Sequence, residues 1–259
     1  MARGVIRIGT SGWMYKDWGR EFYPAGMKKG FLEFLSAEFP TVEVNSSFYH
    51  LPLASTFAKW RAETPERFRF AVKLSRYVTH QKRLESAGEN VELFLARARE
   101  LEEKLGPVLI QLPPSFKYDE TRLKAFLADL RHANRTAKAH ARFALEPRHE
   151  SWMEEPNALQ VRKLLTKERI AIVFPHSRKI PSFPPADENL TTDFVYVRFH
   201  GPSEFAASRY GAARLRPWAK RLLDWQSRGL DCYAYFNNDI NGHAIHDART
   251  LTLQVKRAR

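Results

Sequence analysis

Short β-branched and aromatic runs alternate along the chain with segments whose apolar residues recur at helical spacing. The runs are Val5–Ser11, Thr41–Ser47, Phe68–Leu74, Val108–Leu112, Arg142–Arg148, Ile170–His176, Phe194–His200 and Asp231–Asp239. Between them, stripes close to i, i+3, i+4, i+7 predict amphipathic helices: Leu123, Phe126, Leu127 and Leu130, then Leu215, Trp218, Leu222 and Trp225, then Ala244, Ala248, Leu251 and Val255. Phe31, Phe34 and Leu35 mark a first helix. Phe94, Ala98, Leu101 and Leu105 predict another, which Gly106-Pro107 is expected to stop. After the sixth run, Pro181-Ser-Phe-Pro-Pro-Ala is too rich in proline for a full helix.

Strands alternating with helices predict a parallel sheet with crossover connections. Eight such units in 259 residues fit an α/β fold, a single (β/α)8 TIM barrel, which typically takes about 250 residues. Its connection after strand six is irregular and proline-rich. A doubly wound sheet is the rival, but the turn after strand one reads Gly9-Thr-Ser-Gly-Trp13, without the G-x-G-x-x-G of a dinucleotide-binding turn. With no linker-like shift of composition and no low-complexity tract, residues 1–259 read as one domain.

Alternation along each strand then sorts side chains into those facing the helices and those facing the barrel interior. Outward Val42 and Val44 leave Glu43 and Asn45 inside; Phe70 and Val72 leave Lys73. Strand four contributes Gln111, strand five Glu146 and Arg148, strand six His176, and strand seven Arg198 and His200. Strand eight contributes Tyr233, Tyr235, Asn237 and Asp239. The polar residues gather at the C-terminal ends of the strands, where barrel enzymes carry their sites.

Composition adds less than it first suggests. The 42 Lys and Arg outweigh 29 Asp and Glu by 13 charges, which favours anionic partners but is also compatible with simple solubility. Six Lys or Arg and no acid lie between Arg67 and Leu84, so part of that charge belongs to the loop after strand three. Arg214, Arg216, Lys220, Arg221 and the Lys256–Arg259 tail fall on outer helices. One cysteine, Cys232, excludes an intrachain disulfide and thiolate zinc clusters. The longest apolar runs, Ile170–Phe174 and Cys232–Phe236, are far too short to span a membrane. The N-terminus does not read as a signal peptide, so a cytoplasmic protein with no membrane partner is expected.

Several ordered motifs carry a resemblance: Ile8-Gly-Thr-Ser-Gly-Trp13 with Trp18 and Phe22-Tyr-Pro24, then Thr41-Val-Glu-Val-Asn-Ser-Ser-Phe-Tyr49, Phe68-Arg-Phe-Ala-Val-Lys73 and Thr79-His80. Gln111-Leu-Pro-Pro114, Glu146-Pro-Arg-His149 with Ser151-Trp152, Arg198-Phe-His-Gly201 and Phe236-Asn-Asn238 follow. From near residue 5 to near residue 250 the chain resembles the YecE-like proteins, a family of unknown function. The resemblance implies a TIM barrel and no established reaction. It also implies an aspartate after strand six, where this chain reads Phe174-Pro175-His176-Ser177.

The residues themselves suggest an enzyme, a hydrolase, that binds a phosphate-bearing small molecule, nucleotide or nucleic acid at the C-terminal mouth. Glu43, Glu146 and His200 are the acid–base candidates. Lys73, Arg148 and Arg198 would clamp the anion. Trp13, Asn45, Tyr49, His80, Gln111, His149, Trp152, Asn237 and Asn238 are expected to complete the substrate contacts, and aromatics at strand ends can equally anchor loops. No cofactor is predicted. A divalent metal held by residues such as His80, Glu146, His149, His176, His200 and Asp239 is the second reading, that of a metal-dependent barrel endonuclease. It lacks any tight ligand motif such as H-E-x-x-H. A non-catalytic nucleic-acid binder and a carbohydrate-active enzyme with paired carboxylates are further alternatives. A nucleophile elbow, G-x-S-x-G, is absent.

Overall fold

A computed structural model describes residues 3–258; Met1 and Ala2 of the N-terminus and Arg259 of the basic tail lie outside the described residues. Eight parallel strands follow in chain order and close into a barrel: β1 (Ile6–Ser11), β2 (Thr41–Val44), β3 (Arg69–Lys73), β4 (Leu105–Gln111), β5 (Phe143–Glu146), β6 (Ile170–His176), β7 (Phe194–Phe199) and β8 (Asp231–Phe236). The helices are α1 (Trp18–Glu21), α2 (Phe31–Glu38), α3 (Ser46–Tyr49), α4 (Ala54–Ala62), α5 (Gly88–Ala98), α6 (Glu120–Thr136), α7 (Asn157–Lys167), α8 (Gly211–Ser227) and α9 (His243–Arg257). Each sequence-predicted strand has its counterpart. Between β6 and β7 the described residues hold only a short 3-10 turn, Asp187–Asn189, as the prolines require. No helix among the described residues is long and apolar enough to cross a membrane.

Within this topology the chain packs as two compact units. The first holds the chain up to Glu43, Val173–Ile180 and the chain from Asp193 onward; the second holds Val44–Ile172 and Pro181–Thr192.

In the first unit β1 pairs with β2 and β8, and β7 pairs with β6 and β8. Gly9 permits the closeness of β1 and β2: a Cβ there would lie 2.0 Å from the carbonyl oxygen of Thr41. Gly12 ends β1 with φ at +85°, a conformation that a side chain would strain, and its N–H donates to the Glu43 carbonyl at 2.7 Å. The inward face of β7 and β8 is aromatic, with Tyr196, Tyr233 and Tyr235 packed ring to ring. The outward face, Phe199 and Phe236, stacks at 4.5 Å and meets Trp218 of α8. The predicted stripes of α8 and α9 are buried as expected. Cys232 lies in β8, its thiol pushed up to about 12 by burial and then by the charge of Asp231.

Strand six requires a correction. Its residues are apolar on both parities, so alternation alone could not orient it, and His176 was expected inside. In the structure Phe174 stacks on Trp225 of α8. His176, of the same parity, packs against Trp218 and Tyr210. His176 therefore faces outward.

In the second unit Gln111 aligns with Glu146 across β4 and β5, and Lys73 aligns with Leu109, so these residues share one face. Here the helix stop expected at Gly106-Pro107 is also corrected. α5 ends at Ala98, a 3-10 turn spans Arg99–Lys104, and β4 begins at Leu105. Gly106 and Pro107 lie inside β4, where the register with β3 shifts between Phe70 and Val72. Proline lacks the N–H that regular pairing uses, and a Cβ on Gly106 would come within 2.9 Å of the Phe70 carbonyl.

One buried acid ties α8 to α9. Asp247, fully buried, accepts from the backbone N–H of Tyr210 at 2.9 Å, of Gly211 at 3.2 Å and from the Asn238 amide at 2.8 Å. It thereby satisfies N–H groups at the start of α8 that no helical carbonyl can reach. Asp247→Ala is expected to lower the unfolding free energy by about 3 kcal/mol, because it leaves those donors buried and unpaired. Urea unfolding followed by circular dichroism measures it, and a loss well below 1 kcal/mol would contradict this role.

Candidate functional site

In the first unit the predicted inward positions Glu43 and Arg198 meet. Both are essentially inaccessible to solvent. The guanidinium grips the carboxylate with two bonds, Nε to Oε2 at 3.0 Å and Nη2 to Oε1 at 2.7 Å. The Tyr196 hydroxyl donates to Oε2 and the Ser11 hydroxyl to Oε1, each at 2.6 Å. Burial alone would raise the Glu43 pKa, but the charge of Arg198 and the hydrogen bonds from Arg198, Ser11 and Tyr196 outweigh it and hold the carboxyl below its ordinary range. Glu43 is thus a fully engaged counter-ion. Among the sequence-derived candidates, it is the one whose geometry least suits proton transfer.

Around this pair sit residues that sequence reasoning weighed less. Tyr196 was not singled out. Asp239, considered only as a metal ligand, follows β8, with its carbonyl accepting the Trp18 indole N–H at 3.2 Å. Its carboxyl is pushed up to about 7, first by burial and also by the charge of Glu43, against a lowering hydrogen bond from Tyr15 and the charge of Arg198. His200 is buried. Its ring stacks on Phe205 at 5.1 Å, and its Nδ1 accepts from the Asn237 amide at 3.2 Å. The Trp13 carbonyl accepts from the Tyr23 hydroxyl. Asn238 points elsewhere: its amide donates to Asp247 and to the Ser208 carbonyl at 2.9 Å, which makes it a brace beneath the loop preceding α8.

In the second unit Lys73, His80, Glu146 and Arg148 form a mixed but predominantly positive cluster. Lys73 ends β3 and lies 3.9 Å from the centre of the Phe48 ring. Glu146, buried at the end of β5, accepts from Arg148 Nε at 2.5 Å. Gln111 is buried beside it. His80 rides on a wide π-type turn, Tyr77–Gln81, a distortion often found at functional sites. Its ring packs edge-on against Phe48. Its pKa is pushed down to about 4 by burial and then by the charges of Lys73, Arg76, Arg148 and Arg83. The Thr79 hydroxyl donates to the Ser75 carbonyl and lies 2.9 Å from His80 Nδ1, so Nδ1 carries the imidazole proton and Nε2 presents a lone pair.

Two of the remaining candidates of this unit, Trp152 and His149, have local structural partners. Trp152 is buried, donates its indole N–H to the Phe116 carbonyl at 2.8 Å and packs on Tyr118; it anchors its loop and has no surface for a ligand to stack on. His149 Nδ1 accepts from the Ser151 backbone at 3.2 Å and caps the turn Glu150–Trp152. Tyr49 is exposed at the end of α3. Asn45 Oδ1 is buried without a hydrogen-bond partner among the described residues. No three His, Cys, Asp or Glu side chains among the described residues come together as metal ligands do.

Comparison with known proteins places the chain. The family described as "Protein of unknown function DUF72" matches residues 7–259. The UPF0759 protein YunF of Bacillus subtilis (strain 168) is 30% identical, covering 95% of this chain and 93% of its own. The UPF0759 protein YecE of Escherichia coli (strain K12) is 27% identical, covering 85% and 82%. Among solved structures, a DUF72 family protein from Thermotoga maritima MSB8 superposes with a TM-score of 0.81 at 28% identity, covering 97% of this chain and 99% of its own. Another from Enterococcus faecalis V583 reaches 0.81 at 21% identity, covering 97% and 96%. With the barrel, the ordered motifs and these likenesses in agreement, the chain belongs to the DUF72 family.

Proposed function

We propose that the protein is an enzyme acting on a phosphate-bearing substrate, a nucleotide or nucleic acid, held by the positive cluster at the ends of β3 and β5. The observation that carries this reading is the convergence of Lys73, Arg76, Arg83 and Arg148 on His80, against Glu146, which Arg148 already engages. Cations gathered at one place create a positive potential that attracts an anion. Arginine and lysine beside each other suit a phosphate, the first by its fork and the second as a point charge.

The same field suggests how substrate and chemistry are coupled. Without an anion His80 is too weak a base to work near neutral pH. A phosphate dianion beside it offsets the cations and raises its basicity toward the range useful for general-base catalysis. Nε2, the ring atom with the lone pair, then takes a proton from the attacking water or hydroxyl. The base is switched on by the substrate's own charge.

Two experiments test these electrostatics. Titration with inorganic phosphate at low salt, followed by calorimetry and by the His80 ring resonance, is expected to show saturable binding that weakens with salt and an upward shift of the His80 pKa. Lys73→Ala and Arg148→Ala should each weaken binding about tenfold or more, the usual worth of a hydrogen bond to a charged group. Absence of phosphate binding at low salt overturns the reading.

Asp239 gives a separate pH signature in the first unit. Its carboxyl ionises at about 7 when folded, against 3.8 for an unperturbed group. Between those values the folded protein keeps a proton that the unfolded chain has released. The stabilising contribution is therefore complete below about pH 4 and is lost as pH rises through about 7. Asp239→Asn should stabilise the protein at pH 8 by about 2–4 kcal/mol and change it little at pH 4. Urea unfolding at both pH values reads the difference; an equal effect at both would show that Asp239 is not buried as a neutral acid.

A further inference from the structure

Outside both clusters, the first unit contains a pocket of about 400 Å³ between the end of β6, the loop after β7 and the first half of α8. Its walls include His176, Arg178, Pro202, Arg214, Pro217 and Trp218. His176 reaches it because its side chain faces outward, on the side of β6 that packs against α8.

The lining is rich in donors that the protein leaves unused. Arg178 and Arg214 are exposed, and neither has an acidic partner among the described residues. Trp218 is only 7% exposed, yet its indole N–H makes no hydrogen bond among the described residues. The N–H itself is not sealed from solvent, so it is able to donate to a bound ligand. The Ser177 hydroxyl accepts from the Lys179 N–H at 3.1 Å, and its own proton remains available. No carboxylate is among the lining residues.

His176 supplies the complementary feature. The Tyr210 hydroxyl donates to the His176 carbonyl at 3.0 Å and lies 2.8 Å from its Nδ1. The single phenolic proton being used, Nδ1–H is the donor to the Tyr210 oxygen, and Nε2 carries the lone pair. Burial lowers the pKa of His176 and keeps the ring neutral. A ligand here therefore meets two guanidiniums and an indole N–H, which ask for an oxyanion. It also meets one acceptor nitrogen, which asks for an O–H, and apolar walls from Pro202, Pro217 and Trp218.

We propose that this pocket binds a small organic oxyanion, a phosphate monoester or carboxylate on a compact apolar body, through Arg178, Arg214 and Trp218. The site is separate from the cationic cluster of the second unit and does not depend on it.

The test uses the full chain carrying Lys73→Ala, which weakens binding at the other cluster, with phenyl phosphate and benzoate as probes. The indole N–H resonance of Trp218, assigned by its loss in Trp218→Phe, is followed by NMR. Saturable movement with either probe is expected. A response to one alone identifies which oxyanion the pocket takes and still supports the site. The Arg178→Ala, Arg214→Ala double variant, whose changes lie on the surface and leave the core intact, should bind at least about tenfold more weakly. Two results overturn the proposal: a Trp218 resonance unmoved by both probes up to about 10 mM, beyond the weak end of specific affinity, or a response that the arginine changes leave unaltered.

Discussion

A carboxylate and a guanidinium removed from water must satisfy each other or unfold the structure around them, and Glu43 and Arg198 meet that demand across β2 and β7. Breaking such a pair by removing one partner typically costs about 3–5 kcal/mol, a large part of the stability of any domain. The pair requires four hydrogen bonds at once, so it fixes Ser11 at the end of β1, Tyr196 below it and the register that brings Ser11 beside Glu43. Gly9 and Gly12 are the backbone concessions that let β1 approach closely enough. The fixed charge of Glu43 in turn helps keep Asp239 protonated. One ion pair thus sets both the geometry and the protonation state of its surroundings.

The second unit uses charge in the opposite way. Its buried acid, Glu146, engages Arg148, and the charges of Lys73, Arg76, Arg148 and Arg83 act together on His80. Each group pairs a glutamate with an arginine, and the first surrounds that pair with further hydrogen bonds from Ser11 and Tyr196.

The barrel was legible because its strands and stripes are simple periodicities, and most of the polar cluster because alternation holds wherever one parity is purely apolar. Glu43, Lys73, Glu146 and Arg198 were placed that way. The reading failed at His176, where Ile170–Phe174 is apolar on both parities and only the packing of Phe174 on Trp225 decides the face. It failed at Gly106-Pro107, whose residues suit a helix stop and a strand irregularity equally. Trp152, His149 and Asn238 carry side chains common in ligand sites, but their partners are backbone groups of neighbouring loops, which no spacing reveals. Asp247 and Tyr196 were missed for a similar reason. Asp247 sits in an ordinary helical stripe and Tyr196 in an ordinary strand, and only their distant partners give them importance.

Cys232 gives the barrel an internal clock. It is the single thiol of the chain, buried in β8 between β1 and β7, with its ionisation displaced far above neutrality. The thiol faces the Leu222 carbonyl of α8, so a thiol reagent can reach it only when that helix lifts from β8, and a thiol so rarely ionised in the folded state is no target for oxidants. The rate at which the native protein becomes labelled therefore reports the opening of this part of the barrel alone, free of background from any other sulfhydryl. The helix that covers the strand closing the ring is the one whose departure can be timed.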